Sequence, residues 1–243
     1  MRVLVFQHAD AAHPGRFTEL WRRREYVCDV VRLNSGQPIP DLAGYDLLVA
    51  LGGPMDVWQE REYPWLIEEK VAIRRWVSEL ERPFMGICFG HQILADALGG
   101  KVAPMPGPAV GLAQINLTPS GLKDPMFAGF AVQFEAVQWH SVEVTAVPSG
   151  SEILAYNSSC AVQAFRYGRY AYGFQYNVEL TSDTVAEWRT VPAYRADLEK
   201  VLGPEGAEDL GKTLNRKLGS FNAAAGRLDD NLAELLKSAS RCT

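Results

Sequence analysis

Four short strand-like runs divide the first ninety residues, and helical stripes lie between them. Residues 3–6 are apolar throughout, and 26–33, 45–51 and 83–87 read as further strands. A strand without polar alternation is buried on both faces, as in a parallel sheet. Between these runs, residues 16–24 read as a helix. Residues 65–80 place Trp65, Leu66, Val71, Ile73, Trp76, Val77 and Leu80 along an approximate helical stripe. Residues 89–98 read as a third helix. Strands alternating with helices predict a doubly wound α/β sheet.

From about residue 100 the pattern changes. Residues 101–111 are rich in proline and glycine and predict a loop. Residues 110–118, 134–147 and 152–156 are strand-like with short turns, which suits antiparallel pairing better than βαβ units. Residues 161–165 and 170–176 flank Gly168 and predict a hairpin. Residues 181–243 are helical in composition, with breaks expected at Pro192, Gly203-Pro204 and Gly219. The expected fold is α/β and flavodoxin-like: a doubly wound, mainly parallel sheet with an added antiparallel subsheet and C-terminal helices. Residues 1–180 would form the main domain, and 181–243 a helical extension of it.

Composition adds mostly exclusions. The 243 residues suffice for one large domain, and 47% hydrophobic with 22% charged residues is ordinary for a globular protein. A formal net charge of −5 gives no reason to expect nucleic acid as a partner. Arg22-Arg23-Arg24, flanked by Trp21 and Glu25, reads as a solvated helix face, as do Glu68-Glu69 and Asp229-Asp230. The apolar N-terminal run is too short for a signal peptide, and no run approaches a membrane span, so a cytoplasmic location is expected. Cys28, Cys88, Cys160 and Cys242 show neither metal-ligand spacing nor a disulfide framework. Cys28 and Cys160 are expected in the core and Cys242 in a tail. No phosphate-binding Gly-x-x-x-x-Gly-Lys-Ser/Thr loop occurs, and no cofactor is expected.

The candidate chemistry lies at Gly86-Ile87-Cys88-Phe89-Gly90. A cysteine on a tight strand-to-helix turn with flanking glycines has the geometry of a nucleophile elbow. Its position at a helix N-terminus favours the thiolate. The competing reading, a small buried cysteine under a sheet, fits this context less well. Gly52-Gly53-Pro54 closes the neighbouring strand, and ligands in open α/β sheets bind beyond the carboxyl ends of strands. A glycine turn there can aim N–H groups at a developing oxyanion.

Leu51-Gly52-Gly53-Pro54, Gly86-Ile87-Cys88-Phe89-Gly90-His91-Gln92 and Tyr172-Gly173-Phe174-Gln175-Tyr176-Asn177-Val178-Glu179 together resemble the class I glutamine amidotransferases. Within that family the chain is similar to stand-alone proteins like the glutaminase domain of GMP synthetase. The resemblance spans residues 1 to about 180 and leaves the last sixty or so uncovered. It implies that Cys88 is the nucleophile forming a γ-glutamyl thioester, with Gly53 and Phe89 as oxyanion donors. It implies substrate contacts at Gly52, Gln92, His140, Ser141 and Val142. Glu179 would be the third triad member, and His91 a structural residue on a helix that turns it from the crevice. The substrate would be glutamine or a γ-glutamyl amide, with a synthetase partner or a homo-oligomer as the assembly.

The third motif departs from that family at one position. Asn177 stands where the pattern has histidine, the base that takes the thiol proton and returns it to the leaving amine. Asparagine exchanges no proton near neutral pH. Three explanations fit: a deliberate substitution that traps a substrate, a naturally inactive glutamine-binding or regulatory protein, or another base. His140 in Gln138-Trp139-His140-Ser141 is the candidate for that base, and His8 and His13 lie near the end of the first strand. The expected function is cysteine-dependent hydrolysis of a γ-amide. The alternative is a pseudoenzyme of the same fold.

Overall fold

β3 (Leu47–Ala50) and β4 (Phe84–Ile87) are buried at every position, and β1 (Arg2–Gln7) at all but its first. That is what unbroken apolar runs produce in strands covered on both faces. A computed structural model describes residues 1–240, so Cys242 lies outside the described residues. The remaining strands are β2 (Val27–Arg32), β5 (Lys101–Leu117), β6 (Gln133–Ala146), β7 (Ser151–Tyr156), β8 (Ala164–Tyr167) and β9 (Ala171–Phe174). The helices are α1 (Arg16–Arg23), α2 (Trp65–Arg74), α3 (Phe89–Ala97), α4 (Thr184–Trp188) and α5 (Pro192–Ser240).

All nine strands form one sheet in the order β2-β1-β3-β4-β9-β8-β7-β5-β6. The first five are mutually parallel, and every pairing from β9 onward is antiparallel. One face packs Val3, Val5, Val49 and Met85 against Phe17 and Trp21 of α1 and Leu228, Leu232 and Leu236 of α5. The other packs Leu4, Phe6, Leu48 and Phe84 against Leu66 and Ile73 of α2, Trp76 just beyond it, and Ile93 and Leu94 of α3. The result is the expected α/β architecture, with helices on both faces of a mixed sheet.

Several expectations need correction. Residues 101–111 are not a loop but the first part of the seventeen-residue β5. Pairing with β6 overrides the local composition, which shows instead as a register irregularity between Pro104 and Ala109. Cys28 is exposed because β2 is the edge strand of the sheet, whereas Cys160 is buried, though in the loop between β7 and β8. Gly219 interrupts nothing: α5 runs through it and kinks only at Gly203, whose φ of 72° leaves helical space. Pro192 begins α5, where its missing N–H has no intrahelical partner to lose.

In each of the two carboxylate pairs one member is exposed as expected, Glu68 and Asp230, and the other is buried. Glu69 is fully buried and its Oε1 lies 2.8 Å from His8 Nε2. Asp229 is 3% exposed and accepts from Arg24 Nε at 2.6 Å, while Asp230 accepts from Arg24 Nη2 at 2.5 Å. Arg24 therefore fastens the end of α1 to α5.

Candidate active site

Cys88 sits between β4 and α3 with φ 53° and ψ −105°, a left-handed conformation unusual for a side-chain-bearing residue. Its N–H donates to Phe174 O at 2.7 Å, and Gly90 N–H donates to Leu51 O at 3.0 Å. The glycines on either side are required by contact. A Cβ at Gly86 would lie 2.3 Å from Gly90 O, and one at Gly90 would lie 1.9 Å from Ala50 O. Both obstacles are backbone and cannot swing away. Gly90→Ala is therefore expected to destabilise the fold by about 3 kcal/mol, the upper range for overpacking. Urea unfolding checks this, and an unchanged midpoint would show that the turn relaxes freely.

The elbow places Cys88 beside the Gly52-Gly53 turn: a Cβ at Gly52 would lie 3.8 Å from Cys88 Cβ. The turn is held from behind. His8 Nδ1 is 3.1 Å from Gly52 O, its Nε2 meets Glu69, and its ring stacks on Trp65 and meets Phe89 edge-on. His8 is thus a buried support for the glycine turn, not a crevice-lining group. Cys88 Sγ lies 3.8 Å from Trp139 O and accepts from Gln175 Nε2 at 3.8 Å.

The expectation of a ready thiolate is overturned. Burial pushes the Cys88 thiol up to about 12, and the Glu179 charge adds to the shift. The Phe89 N–H at the helix N-terminus acts in the opposite direction and is outweighed. The thiol is therefore protonated near neutral pH.

On the adjoining strand end, Asn177 N–H donates to Val137 O, and Asn177 Nδ2 donates to Glu179 Oε1 at 2.9 Å. The second Glu179 oxygen accepts from Val178 N–H at 2.8 Å. Asn177 Oδ1 is buried without a hydrogen-bond partner among the described residues. Burial raises the Glu179 carboxyl, and the Asn177 and backbone hydrogen bonds oppose that. Cys88, Asn177 and Glu179 line one small cavity together with Gly52 and Trp139.

A second, larger space of about 50 Å³ opens from Cys88 past Gly53, Gln92, His140, Ser141 and Val142. The sequence-derived residues thus converge on the same crevice. Gln92 Nε2 donates to Val142 O at 3.0 Å and to Gln175 Oε1 at 3.2 Å. His140 Nδ1 lies 3.0 Å from Val142 O, and burial pushes its ring down to about 4. That makes His140 a poor acceptor for the thiol proton. His91 is fully buried, packs edge-on to Phe165, and is pushed down by burial to about 3, which suits a structural residue. His13 pairs with Glu187 at 2.9 Å and lines neither cavity.

Sequence reasoning missed the wall opposite the elbow. Trp188 of α4 and Ala193, Tyr194 and Asp197 of α5 line the two cavities, and Asp56 joins them from the loop after β3. Trp139 Nε1 donates to Tyr194 O and Trp188 Nε1 to Ala11 O, both at 3.1 Å. The Trp139 and Trp188 rings meet edge-on at 5.3 Å. Nothing in the local pattern of residues 188–197 signals this; the nearest clue is the cluster of aromatics around Pro192. Among the described residues, no three His, Cys, Asp or Glu side chains group to hold a metal ion. No helix among them is long and apolar enough to cross a membrane.

Comparison with known proteins agrees with this geometry. The family pattern "Glutamine amidotransferase class-I" matches residues 17–185. The glutamine amidotransferase-like protein YfeJ of Salmonella typhimurium is 31% identical over 195 residues, covering 76% of this chain and 78% of that one. A glutamine-hydrolyzing GMP synthase subunit of Saccharolobus solfataricus is 31% identical over 153 residues, covering 63% and 77%. Among solved structures, a glutamine amidotransferase from Thermotoga maritima superposes with a TM-score of 0.85 at 26% identity, covering 97% of this chain and 98% of that one.

Proposed function

The chain belongs to the class-I glutamine amidotransferase family, and we propose that Cys88 is its nucleophile toward the γ-amide of glutamine or a γ-glutamyl amide. The observation that carries this reading is the strained Cys88 turn, which presents a thiol to a crevice beside a glycine turn. The thiol loses its proton and Sγ bonds to the γ-carbonyl carbon. The oxyanion that forms accepts hydrogen bonds from the N–H groups of Gly53 and Phe89. The C–N bond breaks, ammonia or an amine leaves with a proton, and the glutamyl group remains on sulfur as a thioester. Water then adds, releasing glutamate and restoring the thiol. Gln92, Gly52, His140, Ser141 and Val142 surround the amino-acid end of the substrate. Relatives named as glutamine-hydrolyzing subunits of GMP synthase support a small-molecule glutamine substrate and a synthetase partner.

Asn177 makes this machinery slow. It keeps the hydrogen bond to Glu179 but cannot carry the thiol proton, so solvent must do so. That same observation favours a second reading, a glutamine-binding protein without turnover. Glutamate release and the intact mass of the protein after incubation with glutamine separate the two. We expect slow release or a glutamyl adduct on Cys88, both absent in Cys88→Ala. Absence of release and adduct in both this chain and its Asn177→His variant would overturn the hydrolase reading.

A further inference from the structure

His8 and Glu69 stand behind the glycine turn with both side chains wholly inaccessible. A buried ionisable pair is weak evidence for stability, since apolar side chains of similar volume often hold a fold as well. The protons of this pair can be placed. Gly52 O only accepts, so His8 Nδ1, 3.1 Å away, carries a proton. Nε2 faces Glu69 Oε1 at 2.8 Å, and two lone pairs would repel there, so a second proton lies between them. Glu69 Oε2 is buried without a hydrogen-bond partner among the described residues, so no second donor competes with the ring for the carboxylate. The ring is thereby a stronger donor at Nδ1 than a lone neutral imidazole. That bond reaches the crevice through one peptide unit. The Gly52 C=O and the Gly53 N–H belong to the same planar trans peptide, so they point in opposite directions. With the carbonyl turned to His8, the Gly53 N–H points away from it. Gly53 lines the crevice beside Cys88, and its back is closed: a Cβ there would lie 2.5 Å from Met55 Sδ and 2.9 Å from His8 Cβ.

We propose that His8 and Glu69 are positioning residues for the reaction at Cys88: together they orient and polarise the Gly52–Gly53 peptide, so that the Gly53 N–H donates more strongly to the oxyanion. This rests on the hydrolase reading above and adds two residues to the same site. A hydrogen bond to a peptide carbonyl draws charge through the C–N resonance and leaves the N–H more positive. The oxyanion exists only once sulfur has added to the γ-carbonyl. The gain therefore falls on the transition state and hardly on bound glutamine. A pair that merely held the turn in place would act on both alike.

Glu69→Gln separates the two roles. The amide keeps the volume and can donate to His8 Nε2, while the carboxylate charge and the second ring proton are gone. His8 then still donates from Nδ1 to Gly52 O, but as a neutral ring. In the full chain, with Asn177 and with Asn177→His, kcat for glutamate release is expected to fall about tenfold, part of the hundredfold or more that loss of a whole oxyanion donor costs. Glutamine affinity, read by calorimetry in the Cys88→Ala background so that no ligand is consumed, should stay within about threefold. Circular dichroism and thermal midpoints establish that the variant folds. A second measurement needs no variant at 69. In 15N spectra of the ring-labelled full chain, His8 should carry a proton at Nδ1 and share one at Nε2. An unchanged kcat in folded Glu69→Gln, a loss of affinity as large as the loss of kcat, or a His8 Nδ1 without a proton would overturn the proposal and leave the hydrolase reading standing. Absence of glutamate release and of a Cys88 adduct, in both this chain and its Asn177→His variant, would overturn both.

Discussion

Asn177→His is expected to raise glutamine hydrolysis by about a hundredfold or more, the usual contribution of a positioned general base. The surroundings of position 177 suit an imidazole. Glu179 is held by the Val178 N–H and by Asn177 itself, so an imidazole at 177 finds its orienting carboxylate ready. Cys88 shares the small cavity with both residues, and the unpartnered Asn177 Oδ1 marks where a second polar contact is missing. The imidazole would accept the thiol proton, giving a thiolate–imidazolium pair, and return it to the leaving amine.

The pH dependence gives an independent readout. In this chain burial holds the Cys88 thiol at about 12, so its alkylation by iodoacetamide should climb with pH without a plateau through the neutral and mildly alkaline range. In Asn177→His the alkylation should begin at lower pH and level off, because the imidazolium favours the thiolate. The linked effect on stability has a definite sign. A thiol that binds its proton more tightly in the folded state stabilises the fold below the unfolded thiol's pKa, and this is lost as pH rises toward about 12. A folded histidine variant with neither faster glutamate release nor altered alkylation would remove Asn177 as the explanation for a slow site.

The second large effect concerns stability. Glu69→Ala is expected to destabilise the fold by about 3–5 kcal/mol, as breaking a fully buried pair does. Both partners are wholly inaccessible, at 2.8 Å, and His8 is wedged between Trp65 and Phe89. Both ring nitrogens of His8 face oxygen, so without Glu69 one buried polar nitrogen loses its partner. Because His8 also holds Gly52 O, the variant should bind glutamine more weakly even under conditions where it remains folded. Urea unfolding with glutamine titration checks both effects. A loss below about 1 kcal/mol would show that water or rearrangement satisfies His8.

Much of the site is legible in the sequence because its determinants are local. The elbow needs a buried strand, a cysteine and two close-approach glycines within a few residues, and Gly86, Cys88 and Gly90 supply them. Apolar runs likewise identify β1, β3 and β4, since burial on both faces leaves no polar alternation. Residues 101–111 read as a loop because proline and glycine content reports local preference, while the ladder to β6 is a long-range pairing.

The sequence by itself therefore determined the α/β class and the strand-to-helix turn that carries Cys88, both properties of neighbouring residues. Tertiary structure decided the rest. Glu69 and Asp229 are buried because partners 61 and 205 residues away compensate them, which no local charge pattern records. Folding of α4 and α5 over the crevice brought Tyr194 and Asp197 to Cys88. The acidity of the thiol was also a tertiary matter. The helix N-terminus that favours thiolate is local, but the burial and the Glu179 charge that outweigh it come from chain segments the elbow meets only after folding.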